Sequence, residues 1–93
     1  MRWDESISER AAVEKAIAQK RPIHGIYLIC NTKFGKTEIM SMSEAFKKIN
    51  VPLDLRVIGA AKGKDAAYTL LAEMCAAWLK IHGTLDGFAD IIG

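Results

Sequence analysis

The strongest strand signal in the chain is the stretch IHGIYLICN, residues 23–31. Both of its alternating sets of side chains are largely apolar, so each face of the strand is expected to be covered. The next residues, NTKFGK at 31–36, supply turn chemistry. A second strand over 37–42 would then close a hairpin. These residues predict the centre of a sheet, around which the rest of the chain packs.

Helices are predicted on both sides of this hairpin. Ser6 and Glu9 have the spacing of a capping box and predict a helix over residues 5–20. After the second strand, Ser43 is predicted to cap a short helix over residues 44–49. Each helix would pack its apolar positions on the sheet.

The second half of the chain predicts a strand over 53–58, a basic loop over 59–64 and a main helix over 66–81, with Asp65 as its N-cap. The element order is then α-β-β-α-β-α. The expected fold class is α+β, a small three-stranded, mainly antiparallel sheet with helices packed on it.

The length of 93 residues leaves room for one domain, residues 1–93. We expect a core over 23–83, an N-terminal helix within 1–22 and a C-terminal cover over 84–93. Half of the residues are apolar (51%), which excludes a disordered chain. The net charge of +2 is too small to imply nucleic-acid binding by itself.

The cysteines and the hydropathy pattern indicate a soluble cytoplasmic protein. Cys30 and Cys75 lie inside apolar runs without CxxC spacing, so both are expected to be reduced. The longest apolar stretch, residues 66–81, is interrupted by Glu73 and Lys80, so no membrane partner is expected.

The main helix over 66–81 is apolar almost all round, which predicts that it is covered on more than one side. A second copy of the chain, another protein or the segment 84–93 would provide that cover. Glu73 is the one charge among residues 66–79. Its carboxylate either emerges on a narrow solvent stripe or is held to bind a cation.

The hairpin residues resemble a known motif. Residues 25–31 (GIYLICN), followed by Gly35-Lys36 and then Ile39, are similar to the opening hairpin of the GIY-YIG endonucleases. The helix over 44–49 lies where that family carries its catalytic arginine. With the later strand and the acid-bearing helix, the resemblance covers residues 23–83 in order.

This resemblance implies a nucleic-acid module, and a divalent-metal-dependent phosphodiester hydrolase if activity is retained. It implies a catalytic role for Tyr27 and a metal-binding role for Glu73, with Mg²⁺ or Mn²⁺ needed only if the domain cuts. Lys48 stands near the place of the arginine but lacks its bidentate geometry. The second family tyrosine is missing from Glu38-Ile39-Met40, so activity is expected to be reduced or lost.

DNA or RNA is the partner that the resemblance implies, and basic residues near element ends are the expected backbone contacts. The residues predicted to bind nucleic acid are Lys33, Lys36, Lys47, Lys62 and Lys64.

An alternative hypothesis is a non-catalytic dimeric interaction or regulatory module, of the kind found among small phage accessory proteins, built around the helix over 66–81. The two hypotheses place one side chain differently. An enzyme needs Glu73 in a cleft near Tyr27, whereas an interaction module leaves Glu73 on solvent or at an interface.

Overall fold

Four strands and three helices are formed by residues 1–32, 36–49 and 55–84, which the structure, a computed structural model, describes. The predicted α+β class is confirmed. The predicted C-terminal cover over 84–93 lies, apart from Thr84, outside the described residues. In chain order the elements are β1 (Arg2–Trp3), α1 (Arg10–Gln19), β2 (Ile26–Thr32), β3 (Thr37–Ser41), α2 (Met42–Ile49), β4 (Leu55–Lys62) and α3 (Lys64–His82).

The sheet has four strands in the order β1-β4-β2-β3, so the prediction of three strands was wrong. The fourth strand, β1, pairs in parallel with β4, with Arg2 opposite Gly59 and Trp3 opposite Ala60. The sheet is therefore mixed, although β2 is antiparallel to both of its neighbours. A two-residue strand has no periodicity of its own, so only tertiary pairing defines it.

Strand β2 lies between β4 and β3, and helices cover both of its faces. Leu28 and Cys30 point to the α1 and α2 side, whereas Ile29 points to the α3 side. All three are fully buried, which confirms the prediction of a central strand covered on both faces. The core residues on the α1 and α2 side include Val13, Ala16, Ala45 and Phe46, and those on the α3 side include Ile58, Leu70 and Met74.

Strand β4 runs four residues further than predicted, so the expected loop over 59–64 was wrong. Gly59-Ala60-Ala61 has low intrinsic strand propensity, yet it pairs with both β1 and β2. Ala60 and Ala61 are fully buried. Small side chains suit this position because the sheet is covered closely on both faces, and tertiary packing overrides the local preference.

A bulge in β4 explains the glycine at position 59. Ile29 pairs with Gly59 and Cys30 with Val57, so Ile58 is the extra residue. Ile58 packs on the α3 side of the sheet. A Cβ at Gly59 would also point to that side, 3.1 Å from Ile29 Cδ1 and 3.4 Å from Leu70 Cδ2. The bulge therefore places two consecutive residues on one face, and there is space for only one side chain.

The first helix begins later than predicted. Helix α1 starts at Arg10 after Glu9, which makes no side-chain capping bond, so the predicted Ser6–Glu9 capping box does not form. The Ser6 hydroxyl instead accepts a hydrogen bond from the Lys62 backbone N–H at 3.0 Å. This bond ties the segment after β1 to the end of β4.

The other two helix starts also differ from prediction. The Ser41 hydroxyl, and not that of Ser43, accepts a hydrogen bond from the Glu44 N–H at 3.2 Å, and α2 begins at Met42, two residues earlier than predicted. Helix α3 is preceded by Gly63 and not by Asp65. Gly63 has φ +94°, a conformation that other residues rarely adopt, and this allows β4 to turn directly into α3.

Candidate interaction surface

Tyr27 lies on β2, the central strand, and its side chain is half-buried. It is opposite Ser41 on β3 and Ala61 on β4. Because side chains alternate along a strand, Tyr27 lies on the same face as Ile29, which is the face covered by α3. The predicted catalytic tyrosine is therefore on the α3 side, at the end of the sheet where β4 passes into α3.

Glu73 lies on α3 and is exposed. It lines a shallow cavity of about 300 Å³ on the β1 side of the helix. Leu70 is the buried member of that cavity, and Arg2 supplies a cation. The residues lining it are Arg2, Trp3, Asp4, Glu5, Thr69, Leu70 and Glu73.

Tyr27 does not line the cavity described for Glu73, which is bounded by β1 and α3. Within residues 1–32, 36–49 and 55–84, no group of three or more histidine, cysteine or acidic side chains could hold a metal ion. The roles assigned to Tyr27 and Glu73 by resemblance stay predictions.

The lysines predicted to contact nucleic acid lie at opposite ends of the sheet. Lys62 ends β4 opposite Ile26, whereas Lys36 precedes β3, whose first residue Thr37 pairs with Asn31. Five strand positions separate Ile26 from Asn31, which is about 16 Å along β2. Lys36 and Lys62 are therefore not parts of one compact patch.

The remaining predicted basic contacts lie on helices or outside the described residues. Lys47 is exposed on α2, and Lys64 is exposed at the start of α3. Lys48 lies in α2, but the structure does not describe its side chain. Lys33 lies outside the described residues.

A second cavity, of about 280 Å³, lies between the start of α1 and the start of β2. It is lined by Val13, Ile23 and Ile26, with polar groups from Ser8, Glu9, His24 and Lys62 among others at its rim. Of the residues predicted to bind or react whose side chains the structure describes, Lys62 alone lines it. The cavity does not join the residues assigned by resemblance.

Exposed large apolar side chains concentrate on α3. Helix α3 packs on the sheet through Ala67, Leu70 and Met74. Of the four large apolar residues that are exposed in the described part of the chain, only Met1 lies elsewhere. The three on α3 are Tyr68, Leu79 and Ile81, with exposed fractions of 54%, 41% and 77%.

Four residues on the outward side of α3 form an apolar seam, which we define as Tyr68, Ala72, Cys75 and Leu79. They are spaced by four, three and four residues, the spacing that places side chains on one helix face for contact with a second helix. Tyr68, Ala72 and Leu79 are exposed, and Cys75 is half-buried.

The seam was not predicted from the sequence, because the helix is apolar on every side. The spacing of the seam residues is visible in the sequence, but the buried residues Ala67, Leu70 and Met74 have a similar helical spacing. Only the packing of α3 on the sheet distinguishes the inward face from the outward one. Glu73 and Lys80 are also exposed but lie off the seam.

Comparison with known proteins adds no relative. No family model, no curated protein and no solved structure matches this chain. Among the described residues, no helix has the length and apolar character needed to cross a membrane.

Proposed function

We propose that this protein is a non-catalytic interaction module and that the seam on α3 is its binding surface. The observation that carries the proposal is the exposure of Tyr68 and Leu79 on the same face of α3. On that face only Ala72 and Cys75 lie between them. Exposed apolar surface of this kind is typical of protein-binding sites. Burial of Tyr68 and Leu79 against a partner would remove apolar area from water and favour association.

The chemistry of the seam limits the class of partner. It carries no charged residue, and the tyrosine hydroxyl and the cysteine thiol are its only polar side-chain groups. Phosphate backbones are bound by cations, so this surface suits an apolar helix or groove of a protein rather than a nucleic acid.

The nuclease-like hypothesis, based on Tyr27, Lys48 and Glu73 with Mg²⁺ or Mn²⁺, is second. An exposed Glu73 that lines a cavity without Tyr27 is the placement expected for an interaction module. Among the described residues Glu73 also belongs to no group of three or more side chains that could hold a metal ion, and Mg²⁺ retains its water shell unless several oxygens replace it.

The proposal is tested by placing a photoreactive amino acid at position 68 or 79 in the cells that make the protein. Irradiation is expected to give one discrete protein adduct from each position. The matched control is the same probe at Ala77, which is exposed on the same helix but off the seam. Equal or absent adducts at all three positions would contradict a role for the seam.

A second measurement tests the non-catalytic part of the proposal. Labelled duplex and single-stranded DNA and RNA are incubated with the protein and Mg²⁺ or Mn²⁺. We expect no cleavage above that of a Glu73→Ala control. Cleavage that needs the metal and is lost in both Glu73→Ala and Tyr27→Phe would replace the proposal with the nuclease-like function.

A further inference from the structure

The seam has the same order of side-chain sizes from either end. Tyr68 and Leu79 are the large outer members, and Ala72 and Cys75 are the small central ones. A surface with this symmetry fits a copy of itself turned end to end. In an antiparallel pair of helices, each seam residue faces the partner's residue that is equally far from the centre.

We propose that the partner bound by the seam is a second copy of this chain, with the two α3 helices antiparallel. Tyr68 then packs on the partner's Leu79, and Ala72 packs on the partner's Cys75. This inference rests on the proposed function and names its partner. The interface is isologous, so each contact occurs twice about a twofold axis between residues 73 and 74.

The charges at the two ends of α3 favour the antiparallel direction. Asp65 is in the first turn, and Lys80 and His82 are in the last turn. Asp65 and His82 continue the seam spacing, three residues before Tyr68 and three after Leu79. An antiparallel pair places Asp65 beside the basic last turn of the partner, whereas a parallel pair places two Asp65 carboxylates together.

The helix dipoles favour the same direction. An antiparallel pair places the N-terminal end of each α3, with its partial positive charge, beside the C-terminal end of the partner's helix, with its partial negative charge. Two parallel dipoles would repel.

The side chains beside the seam allow close approach and add apolar area. Ala76 is exposed on one side of it, and Leu71 and Trp78 are half-buried on the other. Alanines at and beside the centre let the two backbones approach closely. Leu71 and Trp78 also pack against the core on the α3 side, so the interface is continuous with the interior of each subunit.

Association is measured by sedimentation over a range of protein concentrations. We expect the wild type to form a dimer. Leu79→Lys is expected to raise the dissociation constant of that dimer on the order of tenfold or more, because burial of a leucine side chain contributes more than a factor of ten to the association constant. Ala77→Lys adds the same charge on the same helix off the seam and is expected to leave the dimer intact. Far-ultraviolet circular dichroism of each variant verifies that it is folded.

The direction of the helices is measured by disulfide cross-linking. Cys30 is fully buried and does not compete in the folded protein. Ala72→Cys, which retains Cys75, is expected to form a covalent dimer faster than the wild type. It is also expected to do so faster than Ala72→Cys/Cys75→Ser, because positions 72 and 75 face each other across an antiparallel pair.

Other outcomes overturn the inference in distinguishable ways. Cross-linking of Ala72→Cys that is no faster than the sum of the rates of the wild type and of Ala72→Cys/Cys75→Ser would indicate parallel helices, in which each cysteine faces its own copy. A dimer unaffected by Leu79→Lys would place the interface elsewhere. A monomer at every concentration would remove the second copy as partner. In that case photoadducts to a different protein from positions 68 and 79 would preserve the proposed function, and their absence would remove it too.

Discussion

Gly59 and Ile29 face each other across β4 and β2, and the space between them is smaller than one methyl group. A Cβ at position 59 would lie 3.1 Å from Ile29 Cδ1 and 3.4 Å from Ile29 Cβ. Ile29 is fully buried, so it has little freedom to move away. The same Cβ would lie 3.4 Å from Leu70 Cδ2 of α3. The absence of a side chain at Gly59 therefore allows α3 to pack close to the sheet.

Gly59→Ala is therefore expected to lower the free energy of unfolding by about 1–3 kcal/mol, the usual cost of overpacking a core. Urea denaturation at one fixed protein concentration measures it. Ile29→Val removes the Cδ1 atom that lies nearest, so the double variant should be more stable than the sum of the two single effects predicts. Additive effects would show that the crowding is not at Ile29.

Ser41→Ala is expected to destabilise the protein by about 1 kcal/mol, because the Glu44 N–H loses its side-chain acceptor at the start of α2. Ser43→Ala is the matched control, since Ser43 is exposed in the first turn of the same helix. Thermal unfolding of the two variants compares them directly. A larger loss for Ser43→Ala would restore the original prediction that Ser43 is the cap.

Two leucines of α3 should respond differently to the same change. Leu70→Ala is expected to cost about 2–5 kcal/mol at every protein concentration, because Leu70 is 2% exposed and its loss opens a cavity. Leu79→Ala should matter only where the protein is associated, so that its melting temperature no longer rises with concentration. Melting curves at low and high concentration separate the two effects. A Leu79→Ala protein that is as unstable as Leu70→Ala when dilute would place Leu79 in the monomer core.

Glu73→Ala is expected to leave the response to metal unchanged. Glu73 is exposed, and the described residues contain no cluster of metal-binding side chains around it. The melting temperatures of wild type and Glu73→Ala should therefore respond alike when EDTA is replaced by Mg²⁺ or Mn²⁺. A metal-dependent rise in the wild type that Glu73→Ala abolishes would indicate a specific site and revive the nuclease-like hypothesis.

The parts of the fold that were predicted from sequence are those determined by local pattern. Strand β2 has apolar residues on both alternating sets, and the helix over 66–81 is a long apolar run without Gly or Pro, so both were predicted near their observed bounds. Strand β1 and the end of β4 were missed. Arg2–Trp3 is too short to show a period, and Gly59-Ala60-Ala61 forms a strand only because neighbours on both sides pair with it.

The candidate surface was half predictable. The apolar character of α3 predicted that something covers it, and the spacing of Tyr68, Ala72, Cys75 and Leu79 is visible in the sequence. Which face is turned to the sheet depends on the tertiary packing of Ala67, Leu70 and Met74 on the strands and on the space at Gly59. For the same reason, sequence order could not reveal that the cavity lined by Glu73 is formed with β1 and does not include Tyr27.

The pairing of β1 with β4 also has a consequence for synthesis on the ribosome. Residues Arg2 and Trp3 emerge before the rest of the sheet, and their partners Gly59 and Ala60 follow more than fifty residues later. The β2–β3 hairpin can close while the chain is still growing, because its partners are close in sequence. Strand β1 can pair only after β4 has emerged. The hydrogen bond from the Lys62 N–H to the Ser6 hydroxyl then holds the segment after β1 against the end of β4. Completion of the sheet is thus a late event, and a chain stalled before Lys62 leaves the strand formed by Arg2 and Trp3 without its full set of partners.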